Sequence, residues 1–534
     1  MYECPNCSAN LKYDISRKAL FCEHCNTCLD PYSFHKESDA EESVSFGVTI
    51  FTCPQCGGEL MTDDTTAATF CSFCGCSTIL DSRVSMEKCP DYIIPFSLDE
   101  EDCKKSYKKM MRRAIFAPKE LSNQEHIKKF RGIYMPYWVY SFVRQGQVTF
   151  DGQRKKRKGD YIHTKHYDIH CDVDMEYKGL AYDASSTFYD SLSNAIAPFH
   201  TDKGQPFHPS FLSGFYADTG DIDERLYRED AQNAAWEDAI RKIRKTSIFF
   251  SYEKPSDTSL KKALYFPKNE ARQGLFPVWF LSYKKEDRVA YAVINGQTGM
   301  AAADLPVDKK KYLLGSALLA APLFLLLNML FTIKPTILLG ISILLSLFCI
   351  FLTCKQMRNI EERETLANDK GVLGKAVNET FVPKEYYTNK KKPDRTLLIT
   401  KLVIAFSGII MIWAFSYIMF IFSRTMKTYM ISMMLWMCLP ILLIPVFTMR
   451  KKPDRDFFNR LKRKLFYMKY PLISILLAIV ILILNPAYDL FYYIGVIACM
   501  ITTALTFTDL ITLHNRLTMR KLPQLNKRGG DENA

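Results

Sequence analysis

The chain has 534 residues, 48% of them hydrophobic, and a formal charge of +13. That length holds several domains. The charge excludes a protein that is basic throughout: residues 1–308 hold 39 Lys and Arg against 44 Asp and Glu, whereas residues 309–534 hold 31 against 13.

The chain opens on a duplicated cysteine pattern. Cys4-Pro5-Asn6-Cys7 and Cys22-Glu23-His24-Cys25 recur, at an offset of 49, as Cys53-Pro54-Gln55-Cys56 and Cys71-Ser72-Phe73-Cys74. Each CxxC puts two thiolates on one tight turn, and two such turns close a tetrahedral site. The spacing therefore predicts two structural zinc ions, one held by Cys4, Cys7, Cys22 and Cys25, the other by Cys53, Cys56, Cys71 and Cys74. The ribbons should span 1–36 and 51–88, joined by an acidic linker at 37–50. Leu11–Tyr13 with Ala19–Phe21, and Leu60–Thr62 with Ala68–Phe70, are the expected hairpin strands. Gly57 and Gly75 suit positive-φ positions after the metal turns; the first ribbon has Ser8 and Asn26 in their places. Cys28 and Cys76 read as spare thiols and His24 as a surface residue. Units this small bury little, so metal should supply most of their folding energy. The second ribbon is acidic around Glu59, Asp63, Asp64 and Asp81, and phosphate binding needs a cationic face. Nucleic acid is thus disfavoured, and protein contact or plain structure is expected.

Residues 90–308 read as an α+β domain with an antiparallel sheet. Ile93–Phe96 is a strand, and Ser97-x-x-Glu100 a capping box for a helix burying Cys103, Tyr107, Met110, Met111, Ala114 and Ile115. Tyr134–Phe150 and Tyr161–Tyr177 follow as strands. In the second, Tyr167, Ile169, Cys171, Val173, Met175 and Tyr177 alternate with His166, Asp168, His170, Asp172, Asp174 and Glu176, the pattern of a half-buried strand with a solvent face. Arg154, Lys155, Lys156, Arg157 and Lys158 fall at the hairpin tip between them, a candidate contact for an anionic bilayer. A helix over Asp223–Ile243, strands Phe276–Tyr283 and Arg288–Ile294, and a turn at Asn295–Gly299 complete the domain.

Six apolar spans follow within a transmembrane domain of 309–516: 312–333, 335–354, 402–422, 429–449, 470–488 and 491–513. Each is long enough to cross a hydrocarbon core of roughly 30 Å. Lys and Arg concentrate before the first span, in 355–396, in 450–469 and in the tail 517–534. By the positive-inside rule this predicts a multi-pass cell-membrane protein with both termini cytoplasmic, where thiolates stay reduced. The repeated Lys391-Lys392-Pro393-Asp394-Arg395 and Lys451-Lys452-Pro453-Asp454-Arg455 mark further candidate lipid contacts at Lys391, Lys392, Lys451 and Lys452.

Several elements together are familiar. The CPxC and FCxxC ribbon precedes Ile94-Pro95-Phe96, Phe116-Ala117-Pro118-Lys119, Tyr134-Met135-Pro136-Tyr137-Trp138, Phe276-Pro277-Val278-Trp279 and Asn295-Gly296-Gln297-Thr298-Gly299. This set resembles the TFIIB-type zinc-ribbon membrane proteins of Gram-positive bacteria, over most of residues 51–310. The second ribbon and the six spans depart from that family, whose members are usually shorter. The resemblance implies a membrane-stress or scaffold role beside PspA-like or flotillin-like (SPFH) proteins, and it carries no catalytic residue. No phosphate loop, nucleophile elbow or metalloprotease helix is present in the sequence. The expectation is a non-enzymatic adaptor bound to the lipid bilayer and to a cytoplasmic or peripheral protein partner, with homo-oligomers admitted. A transport or channel subunit and a membrane-tethered nucleic-acid-binding regulator are the alternatives.

Overall fold

The computed structural model describes residues 2–33, 45–62, 71–75, 81–245, 257–330, 334–364, 369–371 and 455–523. The expected spans 402–422 and 429–449, the four lysines Lys391, Lys392, Lys451 and Lys452, the expected strand Ala68–Phe70 and Cys76 lie outside the described residues.

Strands β1 (Leu11–Asp14), β2 (Ala19–Cys22) and β3 (Cys28–Leu29) make a small antiparallel sheet in the first ribbon. The other strands among the described residues share one sheet: β4 (Ser45–Thr52), β5 (Glu59–Thr62), β6 (Asp81–Lys88), β7 (Tyr92–Ile93), β8 (Arg131–Lys158), β9 (Tyr161–Asp183), β10 (Gln205–Pro206), β11 (Tyr216–Ala217), β12 (Lys268–Lys285), β13 (Arg288–Asn295), β14 (Ala301–Ala303) and β15 (Arg520–Lys521). Long β12 is its spine, antiparallel to β8 on one side and to β13 on the other. Two expectations are corrected here. The acidic linker 37–50 is strand from Ser45 onward, because β4 pairs along its whole length with β6. The tail from 517 does not leave the domain at once: Arg520 and Lys521 pair with Val289 and Arg288.

The motifs that were separate in sequence meet at one point. Phe96 stacks on Phe215 with centroids 4.7 Å apart and also meets Tyr134 and Trp279. It lies so close to Gly132 and Gly296 that a Cβ at Gly296 would stand 2.5 Å from its ring. The Trp279 indole donates to the carbonyl of Leu98. The Asn295 side chain donates to the carbonyls of Ile196 and Pro198 and accepts from the backbone of Gln297 and Thr298. Ser97 and Leu98 both donate backbone N–H groups to Gly296. Those bonds keep the chain attached to the sheet through Leu98, so helix α1 (Glu100–Arg113) is capped by Asp99, which accepts from the Asp102 N–H, and not by Ser97. The helix buries Cys103, Tyr107 and Met111, but it stops at Arg113, which leaves Ile115 exposed.

Helices α2 (Gln124–Ile127), α3 (Asp190–Ala195), α4 (Arg225–Arg244) and α5 (Asp257–Ala263) cover the sheet. β8 and β9 form a hairpin paired out to Lys158 and Tyr161. Its inward residues Val148, Phe150, Ile169, Cys171, Val173 and Met175 pack with Ala239, Ile240, Ile243, Leu260 and Leu264, as the alternation requires.

Among the described residues, four helices are long and apolar enough to cross a membrane: α6 (Lys309–Leu330), α7 (Pro335–Glu364), α8 (Arg455–Leu484) and α9 (Asp489–Thr518). They correspond to the first, second, fifth and sixth expected spans. α7, α8 and α9 share a core of Leu339, Ile343, Leu347, Ile350, Met468, Ile475, Ala478, Tyr492 and Cys499. Gly495 allows close approach to Ile481.

A charged seam joins these helices to the sheet domain. Asp304, just after β14, pairs with Arg363 through one oxygen and with Arg520 through the other, both at 3.2 Å. Arg288 pairs with Glu364 and donates to the carbonyls of Arg516 and Met519. Arg520 also lies over the Tyr189 ring and donates to Ser191. Asn515 and the backbone of Val307 exchange two bonds. The Asp304 and Arg520 side chains are only 11% and 8% exposed, so loss of one partner strands a buried charge. Asp304→Ala should lower the unfolding free energy of the purified chain by about 3 kcal/mol, as read from a denaturant titration in detergent. Gly296→Ala should cost about 1–3 kcal/mol through the clash with Phe96, measured the same way.

Candidate metal centres

Each CxxC turn ends in a residue with positive φ: Ser8 at 55°, Asn26 at 59°, Gly57 at 71° and Gly75 at 70°. At that residue the backbone N–H folds back onto the carbonyl of the first cysteine, at 2.7–2.9 Å in all four turns. Two such turns face each other in each unit. In the first, Cys4 Sγ is 3.3 Å from Cys25 Sγ and Cys7 Sγ is 3.5 Å from Cys22 Sγ. In the second, Cys53–Cys74 and Cys56–Cys71 stand at 3.7 and 3.6 Å. All four sulfurs of each unit lie within 4.8 Å of one another. A tetrahedral ion with metal–sulfur bonds of about 2.3 Å needs sulfurs about 3.8 Å apart, whereas a disulfide needs about 2.05 Å. The geometry fits two metal ions, and the all-thiol donor sets favour a soft or borderline cation. The eight cysteines singled out by spacing are the residues brought together. Cys28 stands apart on β3 and is exposed.

The electrostatics point the same way. In the second unit, hydrogen bonds from Cys56, Cys71 and Cys74 hold the Cys53 thiol far below its ordinary range, while donation to Cys53 raises the other three. Four thiols this close compete for one another's protons, and a dication that binds them displaces those protons. In the first unit the hydroxyl and backbone of Thr27 hold Cys25 down to about 6.

The two units differ in surroundings. The first docks as a body: Tyr13 N–H donates to Ser213, Ser213 donates to Leu11, Ser210 to Pro31 and Tyr32 to Pro206, and Tyr13 packs on Phe211. Its Cys7 and Cys25 are partly exposed. The second is fused to the sheet domain. β5 pairs with both β4 and β11, Tyr291 donates to the Phe73 carbonyl at 2.6 Å, and all four cysteines are buried in one core with Ile133, Met135, Phe280 and Tyr291. Sequence reasoning treated both as small units with little core. The second shares a large one, so a metal held there would add to packing that already exists.

Of the other residues singled out, Arg154–Lys158 close β8 as strand, leading into a turn at Gly159-Asp160. They are far in sequence pairing from either cysteine cluster. The seam residues Arg288, Asp304, Arg363, Glu364 and Arg520 were not anticipated. Their only sequence signal is charge at the ends of apolar runs, which topology alone also produces.

Comparison with known proteins adds one relative. The chain is 30% identical over 317 residues to the uncharacterized protein YdjG of Bacillus subtilis strain 168, a match covering 58% of this chain and 91% of YdjG. No family model matches the chain, and no solved structure matches it.

Metal analysis of the purified chain should give two ions per molecule, and Cys71→Ser should leave one. Protons compete for the sulfurs, so occupancy should fall as pH drops. A chelator should empty the partly exposed first centre before the buried second one; equal rates would contradict the difference in burial.

Proposed function

We propose, for a chain that belongs to the same family as YdjG of Bacillus subtilis, a non-enzymatic membrane adaptor whose rigid head docks a protein partner. The observation that carries this reading is the second cysteine cluster. Four thiols from two turns fill a tetrahedral shell and leave no position for a substrate, the mark of a structural rather than a catalytic centre. The ions are zinc, in keeping with closed four-cysteine sites. They tie the ribbons into the face of the head and supply no chemistry.

The head sits on the cytoplasmic side, by the asymmetry of Lys and Arg around the apolar spans. The pairing of β15 with β13 supports an even number of crossings, because residues before α6 and after α9 belong to one sheet. The six spans expected from the sequence satisfy that parity, and so do the four described helices. The partner is a peripheral membrane protein, of the PspA-like or SPFH-like kind that the family resemblance implies.

The test is crosslinking in native membranes followed by affinity purification of the tagged chain. Wild type should recover a peripheral protein, and Cys71→Ser should lose it together with one zinc while still floating with membranes. Undiminished partner recovery by Cys71→Ser would count against a docking role for the zinc-bearing face. Protease added to right-side-out vesicles should leave the head intact; digestion of the head there would reverse the orientation.

A further inference from the structure

The distal part of the β8–β9 hairpin overhangs the domain. Helix α4 covers its inner face only as far as Ile169 and Phe150. Beyond them every residue from Arg154 to His166 is exposed, with Tyr161 at 76% and Ile162 at 64%. The hairpin also points away from the apolar helices. β15 joins the sheet at Arg288 and Val289, which pair with Lys285 and Lys284 at one end of β12. Lys268, at the other end, pairs with Val143, from which β8 runs fifteen more residues to its tip. At about 3.3 Å per residue that is roughly 50 Å of strand on the side away from the seam.

Charge is segregated along the outward face of this ribbon. The distal half carries Lys155 and Arg157, flanked by Arg154, Lys156, Lys158 and Lys165. The proximal half carries the exposed Asp168, Asp172 and Asp174, while Glu176 beside them pairs with Lys178 at 2.6 Å. The register places the change of sign near the pair Gln153 and His166. A polyanion laid along the face would be attracted by one half and repelled by the other, and so would an anionic bilayer. A second ribbon laid antiparallel over the first meets opposite charge at both ends, which is the self-complementarity of a two-fold contact.

We infer that this face is an interface between two copies of the chain, each basic tip lying over the partner's acidic half. A ribbon about 10 Å wide and roughly 50 Å long covers only roughly 500 Å² per copy, below the roughly 800 Å² per partner of an independently stable interface. The contact therefore depends on tethering both copies in one membrane, which raises their effective concentration, and this dependence rests on the membrane reading above. It also weakens as salt screens it.

The test uses full-length protein, labelled separately with donor and acceptor dyes and co-reconstituted in phosphatidylcholine vesicles. Flotation first establishes insertion; failure there sinks the membrane reading and not this contact. Wild type should show energy transfer at 50 mM salt, falling at least threefold at 500 mM. K155E/R157E and D172K/D174K should each lose transfer by themselves. Mixed with each other they should regain it, because the reversed tip charge of one variant then meets the reversed charge at positions 172 and 174 of the other. A carbodiimide crosslinker should join Lys155 of one copy to Asp172 or Asp174 of an isotopically distinct copy. Transfer unchanged by both variants, no rescue in the mixture, or tip-dependent binding of duplex DNA or of phosphatidylglycerol vesicles in place of a second copy would each overturn the proposal.

Discussion

Asp304 sits between two arginines, and the position of the whole head depends on that carboxylate. It follows β14 and precedes the first apolar helix, yet its partners come from the end of α7 and from β15 after α9. Three distant parts of the chain are thus held by one buried group. Desolvating such charges costs several kcal/mol per ion, and only full pairing offsets it. The cations at the seam outnumber the carboxylates, but Arg288 and Arg363 also bond the carbonyls of Arg516, Leu517 and Met519. These are at the C-terminal end of α9, where orphan carbonyls and the helix dipole favour positive charge. The lysines and arginines that the positive-inside rule counts as topology signals are here also structural ties.

Duplication of the cysteine units did not produce two equivalent modules. The turns are the same, with the same backbone bond and the same positive φ, even where Ser8 and Asn26 replace glycine. What differs is the strand that follows. Glu59–Thr62 adds to the main sheet through β4 and β11, whereas Leu11–Asp14 pairs within its own unit and reaches the domain through Tyr13 and Ser213. The second centre is therefore a core element and the first a docked one. Both units meet the segment 206–217, the first through Ser210 and Ser213 and the second through β11.

Much of the candidate site was legible from spacing alone. Cysteine pairs fourteen residues apart, repeated at a fixed offset, leave little freedom for any arrangement but two tetrahedral clusters. The alternation in Tyr167–Tyr177 likewise fixed one face of β9 against α4, since a strand has only two faces to offer. Other readings failed where backbone bonds overrode local preference. Ser97 has the right spacing for a capping box, but its N–H is already bonded to Gly296, so the cap moved to Asp99. Ile115 fits the buried stripe of α1, but the helix ends before reaching it. The linker from Ser45 became strand because β6 was there to pair with it, and no local pattern announces a partner nearly forty residues away.

The sequence by itself determined the two cysteine clusters, the apolar helices and the half-buried hairpin, because each depends on spacing between near neighbours. Tertiary structure decided the rest. It brought Phe96, Gly132, Trp279 and Gly296 into one contact, buried one cysteine cluster and only docked the other, and returned Arg520 across the apolar helices to Asp304. Those outcomes depend on which distant groups compete for the same buried space and the same hydrogen bonds. That competition is settled only when the whole chain is folded.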